Sequence, residues 1–173
     1  QYGYHDQSQG IFANLEIGWK SMLYLTLTGR NDWESQLAFT DHSSFFYPSV
    51  GLSAVLTEMI KLPEFISYAK IRGSYTSVAS SFDRFLSNPG FEFLEQSHQW
   101  STSSTRPAVN LKPERTKSWE IGLNTKFWND LSFDFTFYKS NTYNQTFQIS
   151  QSSASGFSTA VVQSGNVQNY GIE

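Results

Sequence analysis

Apolar residues take every second place along most of this chain, in bursts of about ten residues. Ala13, Leu15, Ile17 and Trp19 alternate with Asn14, Glu16, Gly18 and Lys20. After a tight turn near Ser21, Leu23, Leu25 and Leu27 alternate with Tyr24, Thr26, Thr28 and Arg30. A third burst sets Phe46, Val50, Leu52, Ala54 and Leu56 against Tyr47, Ser49, Gly51 and Ser53, and a fourth sets Ala69, Ile71 and Tyr75 against Lys70, Arg72, Ser74 and Thr76. The fifth opposes Trp119, Ile121, Leu123 and Phe127 to Glu120, Asn124 and Lys126; the sixth opposes Leu131, Phe133, Phe135 and Phe137 to Ser132, Asp134 and Thr136. Successive strand side chains point to opposite faces, so each burst predicts a β-strand with one oily and one polar face. A seventh strand is expected from near Gln168 to Glu173. Helical signals are weak, with room for a single turn around Thr57–Ile60.

The joins between bursts alternate in length. Those near Ser21, at Trp128–Asp130 and across Thr57–Glu64 are short, and Pro63 in the last removes a donor and ends pairing. Those spanning Trp33–Ser44, Ala79–Glu114 and Gln145–Val167 are long. An up-and-down antiparallel meander puts all the short turns on one rim and all the long loops on the other. Loops of twenty or more residues are uncommon in compact soluble domains. Outer-membrane barrels have them on the outer side, with short turns on the periplasmic side. The smallest such barrels have eight strands of ~9–11 residues. Six strands and the start of a seventh therefore predict a piece of a larger wall, because an open edge in lipid leaves backbone groups unpaired.

Composition narrows the chemistry further. The chain has no Cys, which removes disulfides, thiolate nucleophiles and thiolate metal sites. A net charge of −3 argues against a general nucleic-acid binder. Aromatic residues reach 17%, which argues against disorder. No run approaches the ~20 apolar residues of a membrane helix.

Four stretches are similar to one family. Leu27–Trp33 (LTGRNDW), the run Ser44–Val78, Asn110–Phe127 (NLKPERTKSWEIGLNTKF) and Gly165–Glu173 (GNVQNYGIE) resemble the SusC-like TonB-dependent outer-membrane transporters. The resemblance touches nearly all of residues 1–173 except the loops 80–109 and 145–164. It implies that the whole chain is part of an all-β, antiparallel up-and-down transmembrane barrel of the 22-stranded plugged class. Signal peptide, TonB box, plug and final strand are expected to lie outside these residues. It further implies a multi-pass protein of the bacterial outer membrane that imports oligosaccharides or peptides. A SusD-like surface lipoprotein would cap its mouth, and TonB would supply energy through the plug.

Candidate sites follow from the faces. Arg30, Asp32, Arg72, Glu120, Asn124, Lys126 and Asp134 stand opposite the oily stripe, hence toward a lumen. There they would line a path, hold a plug or pair across strands at ~0.2–1 kcal/mol a pair. Trp19, Tyr24, Trp119, Phe127 and Trp128 at strand ends suit an interfacial aromatic girdle. Phe82, Phe85, Phe91, Phe93, His98 and Trp100 crowd the long loop among hydroxyl and amide side chains, which suits substrate capture, lid contact or packing among loops. No catalytic or metal site and no cofactor is expected: His5, His42 and His98 lie far apart, and Asp32 with Glu34 reads as a solvated strand end near Asp41. Two other classes compete with active import. A soluble β-sandwich carbohydrate-binding module would lay a second sheet on the oily faces, and a passive porin would work without TonB.

Overall fold

A computed structural model describes residues 5–35, 44–80, 86, 91–108 and 111–173. Its elements, in chain order, are β1 (Ser8–Trp19), β2 (Leu23–Glu34), β3 (Ser44–Val55), the single turn α1 (Leu56–Met59), β4 (Ile66–Ser80), β5 (Phe91–Leu94), β6 (Gln99–Thr102), β7 (Thr105–Arg106), β8 (Glu114–Phe127), β9 (Leu131–Tyr143), β10 (Thr146–Ser150), β11 (Thr159–Gln163) and β12 (Asn166–Ile172). All six complete bursts and the partial seventh are strands. They form one antiparallel sheet in the order β1-β2-β3-β4-β8-β9-β12. The sheet does not close: β1 and β12 remain its two edges.

Register explains why the alternation survives from strand to strand. Directly paired residues share a face, and the pairs Leu15↔Leu27, Leu27↔Val50, Val50↔Tyr75, Tyr75↔Trp119 and Trp119↔Lys139 carry one face across the sheet. A one-residue slip in any pair would throw that strand's oily set onto the polar face. Two of the short turns use one device. Met22 N–H donates to Trp19 O at 3.0 Å around Lys20 and Ser21, and Asp130 N–H donates to Phe127 O at 3.1 Å around Trp128 and Asn129. All four central residues have positive φ, between 47° and 60°. This twist matches the flanking strands, but it favours Asn or Gly. Ser21→Gly is accordingly expected to stabilise the hairpin by ~0.5 kcal/mol, left-handed strain relieved minus the added chain entropy of Gly. Denaturant unfolding of the full-length protein in lipid checks it, and a loss of stability would contradict it.

The long loops differ from the expectation of bare connections. The loop after β4 holds the β5–β6 hairpin and β7, and the loop after β9 holds β10 and β11. Strands β10, β11 and β7 make a separate three-stranded sheet, in which β11 and β7 run parallel. These strands are two to five residues long, too short for alternation to announce them. The buried apolar core lies at this end of the molecule. It consists of Phe45, Ala79, Leu111 and Val161, with Tyr47, Leu86 and Ala108 packed against it. It sits where β3 and β4 part, since their pairing stops at Ser49↔Thr76 while both strands continue.

Candidate functional site

All seven charged or amide candidates share the polar face, as register requires. Four of them meet. Arg72 of β4 reaches across β8 to β9: its Nη1 donates to Asn124 Oδ1 at 3.2 Å and its Nη2 to Thr136 Oγ1 at 2.8 Å. Glu120 lies 3.5 Å and Asp134 3.6 Å from the same guanidinium. Asn124 Nδ2 donates to Asp134, and Thr136 Oγ1 donates to Asp134 Oδ1 at 3.4 Å. One cation thus ties two carboxylates, an amide and a hydroxyl over three strands.

Gly122 makes that reach possible. It is the direct cross-strand partner of Arg72, and a Cβ there would stand 2.5 Å from Arg72 Nε and 2.9 Å from its Cγ and Cζ. Only a residue without a side chain lets the arginine lie flat on the neighbouring backbone. Neither Gly122 nor Thr136 stood out in the sequence, because their role appears only once strands 50 and more residues apart are paired. The network borders a shallow depression of about 480 Å³ lined by Ser74, Thr76, Ser118, Tyr138 and Ser140, among others.

Arg30 and Asp32 form a second, separate group, with Nε donating to Oδ1 at 2.8 Å. The Asp32 carboxylate is therefore engaged by an arginine, and the Asp32–Glu34 pair supplies no free acid–base couple. Lys126, opposite Ser132 at the end of β8, joins neither group. Among the described residues no cluster of three or more His, Asp or Glu is placed to hold a metal ion; Asp41 and His42 lie outside them.

The opposite face is apolar and uncovered. Leu15, Leu52 and Phe133 are each more than half exposed, so among the described residues no second sheet packs there as a sandwich requires. Phe127 lies eight residue steps from Trp119 in β8, about 27 Å along the strand. A tilt of ~35–45° brings this to about 20 Å, close to the ~25 Å apolar band of an outer-membrane barrel. The charged residues in the strands on this face, Arg115, Lys117 and Lys139, lie at or beyond the Trp119 level, toward the long loops.

Aromatic residues mark both borders of the band. On the short-turn side Phe65 stacks on Phe127 with centroids 6.3 Å apart and lies 6.0 Å from Trp128, and Lys20 Nζ stands 4.8 Å over Trp19. Phe65 was not singled out in the sequence, where it sits beside Pro63 outside any alternating run. At the other border Trp119 packs on Phe137 at 5.3 Å. Trp119 is not at a strand end, since β8 begins five residues earlier, at Glu114; hydrogen bonding carries the strand past the oily band. Tyr24 has to be moved altogether. It pairs with Gly18 and Ser53 and leans over Gly18, so it belongs to the polar face and to no girdle.

The loop candidates divide. Phe82 and Phe85 lie outside the described residues. Phe91, Phe93 and Trp100 share one face of the β5–β6 hairpin, where register pairs Phe93 with Trp100. Their rings are 5.2 Å apart, His98 stands edge-on to Phe93 at 6.4 Å, and Phe91 and Trp100 are about 70% exposed. The rings therefore pack within the hairpin and still present surface.

An antiparallel meander with an uncovered, charge-free apolar band, two aromatic borders and a polar opposite face is the wall of a membrane β-barrel. Known proteins agree. The chain belongs to the TonB-dependent receptor-like β-barrel family, whose model matches residues 1–173. It is 26% identical, over 96% of its length, to TonB-dependent receptor P26 of Formosa agariphila, and spans 18% of that protein. Structures of the RagAB peptide importer in its open-open and closed-closed states match it with TM-scores of 0.80 and 0.79. Identities are 20% and 22%, covering 96% and 95% of this chain and 19% of each importer chain. The siderophore receptor PirA of Pseudomonas aeruginosa matches at a TM-score of 0.66 and 14% identity, over 97% of this chain and 30% of the receptor. The chain thus spans about a fifth of the length of the first relatives it matches.

Proposed function

We propose that these residues are one section of the wall of a SusC-like importer of the bacterial outer membrane, with the apolar face in lipid and the polar face toward the lumen. The carrying observation is the pairing of faces with rims. One face carries an apolar band free of charge below the Trp119 level across the seven strands, while every short turn lies at one rim and every long loop at the other. In this reading Arg72, Glu120, Asn124 and Asp134 brace the lumen wall, and Arg30 with Asp32 lines it near the outer mouth. Trp19, Trp119, Phe127 and Trp128 sit at the two lipid interfaces. Phe91, Phe93, His98 and Trp100 face cargo or a lid outside.

The cargo is an oligosaccharide or peptide too large for passive pores. The peptide half of that class is supported by the likeness to a peptide importer. The partners are a SusD-like surface lipoprotein at the mouth and TonB on the periplasmic side. The test is uptake of labelled oligosaccharide and peptide pools by cells making the full-length protein, with and without TonB. Uptake that requires TonB and the proton gradient is expected. Uptake indifferent to both would replace active import by a passive pore.

A further inference from the structure

We propose that Gln163 is a positioning residue that locks the two long loops into one body, which carries the β5–β6 aromatic hairpin. The loops belong to different hairpins of the wall, β4–β8 and β9–β12, yet they share a sheet. The link between them is the parallel pairing Thr105↔Thr159 and Arg106↔Ala160. Two residue pairs are too few to hold a strand by themselves, and parallel pairing is the weaker kind. Other contacts must supply the hold, and they lie at the two ends of the loop sheet.

At the far end, the Thr105 and Thr159 hydroxyls are 2.8 Å apart, and Ser104 O accepts from Ser158 N–H at 2.9 Å and Thr159 N–H at 3.3 Å. At the neck, the Gln163 side chain imitates a strand backbone. Its Oε1 accepts from Lys112 N–H at 2.8 Å and its Nε2 donates to Lys112 O at 2.5 Å. Nε2 also lies 3.3 Å from Asn144 O and from Thr146 Oγ1. A single amide therefore spans the other loop, just before β8, and the bend of its own hairpin.

That bend is a built kink. Asn144 and Gly165 have φ of 59° and 106°, and they separate the β10–β11 extension from β9–β12. The left-handed region favours the residue types found there, glycine above all. Without a strut, a hairpin kinked on both strands would swing. Gln163 supplies the strut at the kink, and Leu111 and Val161 on either side of it lie in the same buried cluster. The loop after β4 is anchored to that cluster a second time, because Ala108 N–H donates to Leu86 O at 2.9 Å and both residues pack on it. The two loops, one of which carries the aromatic hairpin, therefore move together or not at all. The consequence for cargo entry rests on the importer reading above; the coupling of the loops does not.

Hydrogen exchange on the full-length protein in lipid tests the coupling. Gln163→Ala is expected to speed exchange about tenfold in both 104–112 and 146–163, as loss of a bridging hydrogen bond should, with wall strands unchanged. Gln163→Glu keeps the acceptor for Lys112 N–H but sets a carboxylate oxygen against the Lys112 and Asn144 carbonyls, so exchange should be at least as fast as in Gln163→Ala. Faster exchange in one loop alone, or in neither, would overturn the proposal. A Thr105→Cys, Thr159→Cys pair, oxidised, is expected to leave uptake at the wild-type level, because the loops need not part. Uptake that stops on oxidation and returns on reduction would sink it. Wild-type protein that takes up nothing would instead count against the importer reading and leave the exchange result standing.

Discussion

Leu25→Arg is expected to cost ~2–4 kcal/mol of folding stability in a bilayer, while Thr26→Arg, one residue on, should cost less than about 1. Leu25 pairs with Ile17 and Leu52 on the oily face, inside the border marked by Trp19, so an arginine there would sit in hydrocarbon. Thr26 pairs with Glu16 and Gly51 on the other face, where a cation meets a carboxylate and water. The gap, at least about 1 kcal/mol, corresponds to about fivefold or more in the folded-to-unfolded ratio. Refolding of the full-length protein into vesicles under a denaturant gradient reads both values. Equal costs would mean that the two faces see the same medium, and the membrane orientation would fail with them.

Gly122→Val and Arg72→Ala are expected to cost about the same, ~1–2 kcal/mol each, and together hardly more than either. Valine at 122 would drive the guanidinium off the β8 backbone and away from Asn124 and Thr136; alanine at 72 removes it. Either way Glu120 and Asp134 lose their shared cation. The value sits near the lower end for charged hydrogen bonds because the Arg72 side chain is 38% exposed and solvent screens the ion pairs. The same unfolding assay, run as a double-mutant cycle, decides. Additive costs would show that Gly122 serves the backbone and not Arg72.

The loop unit and the wall ask for different readouts. The wall is held by ladders of seven long strands, so loop variants such as Gln163→Ala should leave its unfolding unchanged while altering local exchange. The Arg72 network spans three wall strands, and its loss should appear in global stability.

The seven wall strands were legible because one physical constraint acts on every one of them: oily on one side, polar on the other, period two. The same alternation placed Arg30, Asp32, Arg72, Glu120, Asn124, Lys126 and Asp134 on a common face without any knowledge of neighbours. The loop-length rhythm gave the two rims, and the motif runs gave the family. Tertiary structure alone decided which of those side chains meet. Arg72 finds Asn124 and Thr136 only because β4, β8 and β9 are adjacent, at sequence separations of 52 and 64. Tyr24 already stood on the polar side of its alternation, and its pairing with Gly18 and Ser53 takes it out of the girdle to which its place beside a turn had assigned it. The loop sheet was invisible for a related reason: strands of two to five residues are selected by partners and not by their own pattern. Local periodicity records the medium each face must meet, whereas contacts between distant strands are fixed only when the chain has folded.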